Sequence, residues 1–320
     1  MESRSTLGRV HRLAFEVDWP PGDVACYLLE GPEPVLVDAA TPDNDAAFRD
    51  RLAGHGYEPG DIEHLVVTHP HVDHIGQVPT VLEDGDPTVY APASVRERLA
   101  RDPDDVETRV RRNCTEAGFP EEQCETAVEM AVESLERNAE LLDPGAVDRW
   151  IDPGDTTDVG GLEVGAVHVP GHQADHLSYS AEIDGDRVLF SGDMAMEPLR
   201  PVLLHDGLDD GHREAFDAFY TALDRLAALE VARVYPGHGP VHTDLAGSVE
   251  RDRRSLDDRL RQVRELVADG YSTAPGVAMT LAGERDIKYL IPETMSALSH
   301  LERTGEVSAE PTDGVRHYSV

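Results

Sequence analysis

Three histidines and an aspartate crowd into the six positions from His69 to His74, in the stretch THPHVDH, directly after the apolar run LVV. In a His-x-His pair the imidazoles stand two residues apart and project from the same side of an extended segment. Both can then reach one ion at about 2.0–2.1 Å. Asp73 and His74 point elsewhere and suit a second ion. Three more residues of the same kind follow: His172 in PGH, Asp193 in SGD and His238 in PGHG. Seven nitrogen and oxygen donors with no thiolate among them favour zinc, or else iron or manganese, over copper or a closed structural zinc site. Two such ions about 3.5–4 Å apart would lower the pKa of a shared water and create a metal-bridging hydroxide for hydrolysis.

Side chains so far apart in the chain need a scaffold that gathers them. Each donor follows a short run rich in Val, Leu, Phe or Tyr and closed by Gly or Pro: HLVVTHPHVDH, LEVGAVHVPGH, DRVLFSGD and VARVYPGH. Such runs read as buried strands, and a turn at each end lets the next side chain project from the sheet edge, where open α/β architectures put their sites. Between them, TPDNDAAFRDRLAGHG and EAFDAFYTALDRLAALE are helical; the second repeats Phe216, Phe219, Tyr220, Leu223, Leu226 and Ala227 at helix spacing. VACYLLEGPEPVLVDAA reads as a hairpin. The expected layering is helix, sheet, sheet, helix.

In this order, THPHVDH, PGH, SGD and PGHG resemble the metallo-β-lactamase superfamily of hydrolases, over roughly residues 7 to 245. The resemblance implies an α/β fold, a four-layer αβ/βα sandwich holding two divalent metal ions, most simply Zn2+. It assigns His69, His71 and His172 to the first ion, Asp73, His74 and His238 to the second, and Asp193 to a bridge between them. It makes Asp73 the proton acceptor or shuttle as well. Asp38, at the end of PVLVDAA, matches the family's acid that orients a ligand histidine. His176, in PGHQADHLSYS, matches a second histidine that meets substrate or another side chain. Relatives that reduce oxygen at a di-iron centre carry glutamate where this chain has His71, so that role is set aside. His55, His212 and His300 are expected to be exposed or satisfied side chains without a role.

Two segments depart from the strand–helix alternation. Residues 94–148 are charged and helix-prone and read as an insertion that either covers the site or forms a solvated excursion. Beyond about Gly247 a long helix, two shorter ones and a hairpin around EPTDG suggest a winged-helix-like domain, giving a hydrolase domain of 1–246 and an appendage of 247–320. A similar appendage occurs in lactamase-like hydrolases that include an RNA endonuclease group, which GHQADH also fits. The stretch IPETMSALSHLERTG, where a recognition helix would fall, offers only Arg303 as a fixed positive charge. Nucleic-acid affinity rests on Lys and Arg contacts with phosphates, so a domain that dimerises or covers the site is the favoured expectation.

Composition narrows the setting. Of 320 residues, 63 are Asp or Glu against 28 Lys or Arg, a formal net charge of −35, and Lys288 is the only lysine. Carboxylates run through the whole chain, which suits the cytoplasm of a salt-loving microbe, where a Debye length of about 3 Å at 1 M salt screens self-repulsion. No run of about 18 apolar residues and no secretory signal is evident, so a cytoplasmic location and no membrane contact are expected. Cys26, Cys114 and Cys124 are too few and scattered for a disulfide framework or a thiolate site. The function expected is hydrolysis of a small ester-like molecule: a thioester, lactone or related acyl compound. The alternatives are a metal-dependent endoribonuclease and a non-catalytic, metal-stabilised regulator.

Overall fold

The computed structural model describes residues 9–283 and 290–320. β1 (Val10–Glu16) and β2 (Asp23–Leu29) form an antiparallel hairpin, and β3 (Val35–Val37) returns beside β2 across the EGPEP turn. β4 (His64–Val66), β5 (Thr88–Pro92) and β6 (Arg149–Ile151) then add in parallel to complete a six-stranded sheet in chain order. β7 (Thr156–Val159), β8 (Leu162–His168), β9 (Leu177–Ile183) and β10 (Asp186–Gly192) form an antiparallel meander. β11 (Arg233–Pro236) joins β10 in parallel and makes this a second sheet of five strands.

β2, DVACYLL, is apolar at nearly every position because both of its faces are covered. Ala25, Tyr27 and Leu29 enter the cluster between the sheets, with Val66 and Tyr90 on their own side and Tyr179, Phe190 and Tyr235 opposite. Val24, Cys26 and Leu28 face the other way, into a cluster closed by helices. These are α1 (Asp45–Ala53), the short α2 (Val72–Ile75), α3 (Val78–Asp84) and α4 (Ala93–Leu99), which contribute Phe48, Leu52, Ile75, Val81 and Val95.

The segment expected as an insertion, residues 94–148, takes in α4 from its second residue and continues as α5 (Pro103–Ala117) and α6 (Glu121–Leu141). α5 starts cleanly: Asp102 accepts the Asp104 N–H at 3.0 Å, and Pro103 occupies the first turn. It stops at Gly118, whose φ of 87° is left-handed. Val106, Val110, Cys114, Cys124 and Val128 make a small core between the two helices. Two of the cysteines therefore serve as apolar filling, and Cys26 is buried as well.

The second sheet is covered by α7 (Ala215–Ala227), whose Phe216, Phe219, Leu223 and Leu226 pack with Leu189 and Val234, as their helix spacing requires. The same cluster continues through Val249, Leu256 and Val263 of α8 (Leu245–Ala268) to Leu298 and Leu301 of α10 (Leu290–Thr304). α9 (Ala274–Ala282) lies between those helices in sequence, and β12 (Ser308–Thr312) pairs with β13 (Val315–Ser319) after them. Every residue of α10 from Pro292 to Leu298 is buried. Among the described residues no helix is long and apolar enough to cross a membrane.

Candidate metal centre

All seven donors expected from the sequence meet at one edge of the two sheets. From the first sheet come His69 and His71, on the extended segment after β4, then Asp73 and His74 on the first turn of α2. The change from extended chain to helix at His71 (φ −79°, ψ 147°) is what turns Asp73 and His74 away from the His-x-His pair. From the second sheet come His172 beyond β8, Asp193 next after β10 and His238 just beyond β11. One donor atom each of His69, His71, His172 and Asp193 fall within 4.8 Å of one another, and so do those of Asp73, His74 and His238. Asp193 touches both groups: its Oδ1 lies 3.0 Å from His74 Nε2, and its Oδ2 lies 3.2 Å from His172 Nε2 and 3.3 Å from His238 Nε2.

Outer contacts fix which nitrogen of each ring faces inward. His74 Nδ1 is 2.9 Å from Asp38 Oδ2, His172 Nδ1 donates to the Val202 carbonyl at 2.9 Å, and His238 Nδ1 donates to the Asp23 carbonyl. Thr68 donates its N–H and its hydroxyl to Asp38 at 2.8 and 2.9 Å, so the hydroxyl oxygen accepts from His69 Nδ1 at 3.0 Å. With Nδ1 tied up four times over, four Nε2 atoms are left toward the centre, the arrangement that presents imidazole to a metal. His69 Nε2 and His172 Nε2 each lie 3.0 Å from His71 Nδ1, and that nitrogen can donate to only one of them. Facing lone pairs at this spacing, together with the buried His74 Nε2 and Asp193 Oδ1, 3.0 Å apart yet outside hydrogen-bond geometry, fit a site built for cations.

The two groups differ in charge. Burial and neighbouring imidazoles hold His69 well below the usual histidine range, and burial with His172 pushes His71 down to about 3. Burial also opposes charge on His74 and His238, but Asp193 and the other nearby carboxylates outweigh it; His74 is driven well above its ordinary value and His238 up to about 10. Those cations in turn keep Asp193 well below the carboxylate range and Asp73 near about 2, against the effect of burial. Without metal, the carboxylate-rich group therefore holds protons where a divalent ion would displace them. Asp73, its side chain 14% exposed, is the most open of the carboxylates.

Two of the surrounding glycines are required by space. A Cβ on Gly192 would stand 2.5 Å from His176 Nε2 and 2.9 Å from Thr68 Oγ1, and one on Gly237 would stand 2.6 Å from Asp193 Oδ1. Asp38 itself sits at φ 60°, a left-handed conformation that aspartate tolerates better than most residues. His176 is fully buried and accepts the Asp193 N–H at 3.0 Å, so it meets the backbone of a donor residue. His212 is satisfied by the Asp209 carbonyl and His300 lies 3.0 Å from Asp217, as expected of bystanders. His55 is exposed, also as expected, with its ring 4.0 Å from that of His11 and tilted by 32°.

Sequence patterns did not point to Thr68, the Val202 and Asp23 carbonyls, or Asn138. Asn138 of α6 donates to the Pro70 carbonyl at 2.8 Å, between the two histidines of His-Pro-His. Nor did they show that Arg98 of α4 joins Asp175, three residues after His172, to Asp206.

The metallo-beta-lactamase superfamily model matches residues 19–238, more than half of the chain. The probable metallo-hydrolase YqjP of Bacillus subtilis is 26% identical over 293 residues, 88% of either chain. A hydroxyacylglutathione hydrolase of Rhodopseudomonas palustris is 28% identical over 54% of this chain, which spans 63% of that enzyme's own length. The crystal structure of a metallo-beta-lactamase family protein from Thermus thermophilus superposes with a TM-score of 0.81 at 25% identity, covering 98% of each chain. On these matches, and with donors of the expected types gathered at the sheet edge, the chain belongs to the metallo-β-lactamase superfamily and is a hydrolase of that superfamily.

Proposed function

We propose that the protein is a dinuclear metal-dependent hydrolase acting on a small ester-like molecule such as a thioester or lactone. The observation that carries this reading is the position of Asp193, in reach of both donor groups at 3.0–3.3 Å. His69, His71 and His172 would hold the first ion, Asp73, His74 and His238 the second, with Asp193 shared. Two divalent ions, most simply Zn2+, would make a nucleophile from water and polarise an acyl carbonyl. The chain does the rest. Asp38, Thr68 and the backbone carbonyls of Val202 and Asp23 hold the rings in one orientation. Asp73, ionised and partly open to solvent, is placed to accept a proton at Oδ2 and pass it outward.

Four observations support a small acyl substrate. A relative of this chain is named a hydroxyacylglutathione hydrolase. Trp19, Leu199 and Val202 are exposed apolar residues on segments whose carbonyls, at Asp23 and Val202, hold His238 and His172. The net charge of −35 suits neither RNA nor other polyanions, and in α10, where a recognition helix would fall, Pro292 to Leu298 are buried. The same reading divides the chain into a hydrolase domain of 1–246 and a winged-helix-like domain of 247–320. It gives that domain a covering or dimerising role and places the protein in a high-salt cytoplasm.

The deciding experiment measures metal content and turnover on one sample, in multimolar potassium chloride, against thioesters, lactones, phosphodiesters and short RNA. Two ions per chain at the seven-donor centre, with acyl hydrolysis, are expected. Asp193→Asn should lower metal content and reduce kcat/KM by more than about 100-fold, since even partners outside the ligand set typically cost 10–100-fold. A single ion at that centre would remove the dinuclear mechanism, and preferential cleavage of RNA would remove the substrate class.

A further inference from the structure

A second group of metal-binding side chains lies outside this centre, on the helix-covered face of the first sheet. His11 follows the same alternation along β1 as Leu13 and Phe15, which enter the helix-side cluster; Glu30 follows that of Cys26 and Leu28 on the neighbouring strand. Glu30 extends the pairing one step past β2, its N–H donating to the Arg9 carbonyl at 2.8 Å. His55 comes from the other layer. It sits in the turn that ends α1, where its N–H donates to the Leu52 carbonyl at 2.9 Å. The fold thus brings together three residues from a strand, its neighbour and a helix end. One donor atom from each lies within 4.8 Å of the others.

The contacts are those of ligands facing a common point. The His11 and His55 rings lie 4.0 Å apart between centroids, tilted by 32°. His11 Nε2 is 2.9 Å from Glu30 Oε1, yet this buried nitrogen has no partner in hydrogen-bond geometry, because the oxygen is off the line of its N–H. Two donors about 2.0–2.1 Å from one ion at a near right angle would show this separation and this misalignment. Burial and His11 both lower the pKa of His55, which keeps its lone pair available. The C-terminal end of α1 adds the negative end of a helix dipole, favourable to a cation.

We propose that His11, Glu30 and His55 form a divalent-metal site, distinct from the buried centre, that clips the edge strand β1 to the end of α1. Two imidazoles and one carboxylate suit Zn2+ or Ni2+, with solvent completing the coordination. The site is structural: an ion there closes the open edge of the six-stranded sheet onto its covering helix. It shares no residue with the seven donors at the other site.

The test is a calorimetric titration of the intact protein with Zn2+, and separately Ni2+, run side by side with His55→Gln and His11→Gln. His55 is exposed, so its replacement leaves packing intact. Wild type should take up one more equivalent than either variant, or bind it at least about tenfold more tightly, and that equivalent should raise the thermal midpoint of wild type alone. Hydrolytic turnover should be the same in all three proteins. Equal stoichiometry and affinity in wild type and His55→Gln would overturn the site. The comparison is a difference between two proteins, so it holds whether the buried centre takes one ion or two.

Discussion

Asp252 lies buried in α8, with Oδ1 accepting from Arg251 at 2.9 Å and Oδ2 without a partner. Burial raises its pKa to about 6, against the opposing pull of Arg251. An unfolded aspartate titrates near about 3.9, so between roughly pH 4 and 6 the native state binds more proton than the unfolded one. Stability contributed at this position therefore falls as pH rises through that window, and the full cost persists above it. Asp252→Asn keeps an acceptor for Arg251 and removes the buried charge. It should stabilise the protein by about 1–3 kcal/mol at pH 8, with the gain shrinking as pH falls toward 4. Denaturant melts at several pH values check this; a gain that grows on acidification would show that the carboxylate is favourable.

Among the elements, α6 has a specific claim on the site through Asn138 and the Pro70 carbonyl. A carbonyl held from outside keeps His69 and His71 extended, and its loss frees the segment to turn. Asn138→Ala should weaken metal binding about 10–100-fold and cost about 1–3 kcal/mol of stability through the orphaned carbonyl. Chelator competition reads the first effect; unchanged affinity would reduce α6 to a cover. This helix also shows what a sequence can and cannot tell. That His69, His172, Asp193 and His238 come together was legible because metals demand particular side chains, and those stood where strand-like runs end. Val202 and Asp23 hold two of the same rings through their carbonyls, and a carbonyl has no residue type to recognise. His55 looked like a lone surface histidine, because only the packing of α1 on β1 brings it against His11. The burial of α10 was hidden for a similar reason: its small and polar residues, Thr294 and Ser296 among them, are enclosed by neighbouring helices.

For the whole molecule, the net charge of −35 is the dominant long-range force. Screening lengths shrink from about 10 Å at 0.1 M salt to about 3 Å at 1 M, so repulsion between surface carboxylates fades over that range. Partly buried ion pairs respond less, among them Arg101 and Arg109 on Asp209 at 2.9 and 2.6 Å, which bind the insertion to the loop before α7. The thermal midpoint should rise steeply between 0.1 and 2 M potassium chloride, and sodium chloride should act alike. A flat profile would remove the high-salt origin proposed for this composition.

The strands of each sheet are consecutive in the chain: β1 to β6 build one, β7 to β11 the other. Four of the seven donors come with the first and three with the second. Neither half of the polypeptide carries a complete set for an ion shared through Asp193. The chain passes between them through one exposed turn, Asp152 to Asp155. On the proposed function, catalytic competence would be a property of two pieces meeting, and an ion at their junction would act as the clasp that registers one sheet against the other.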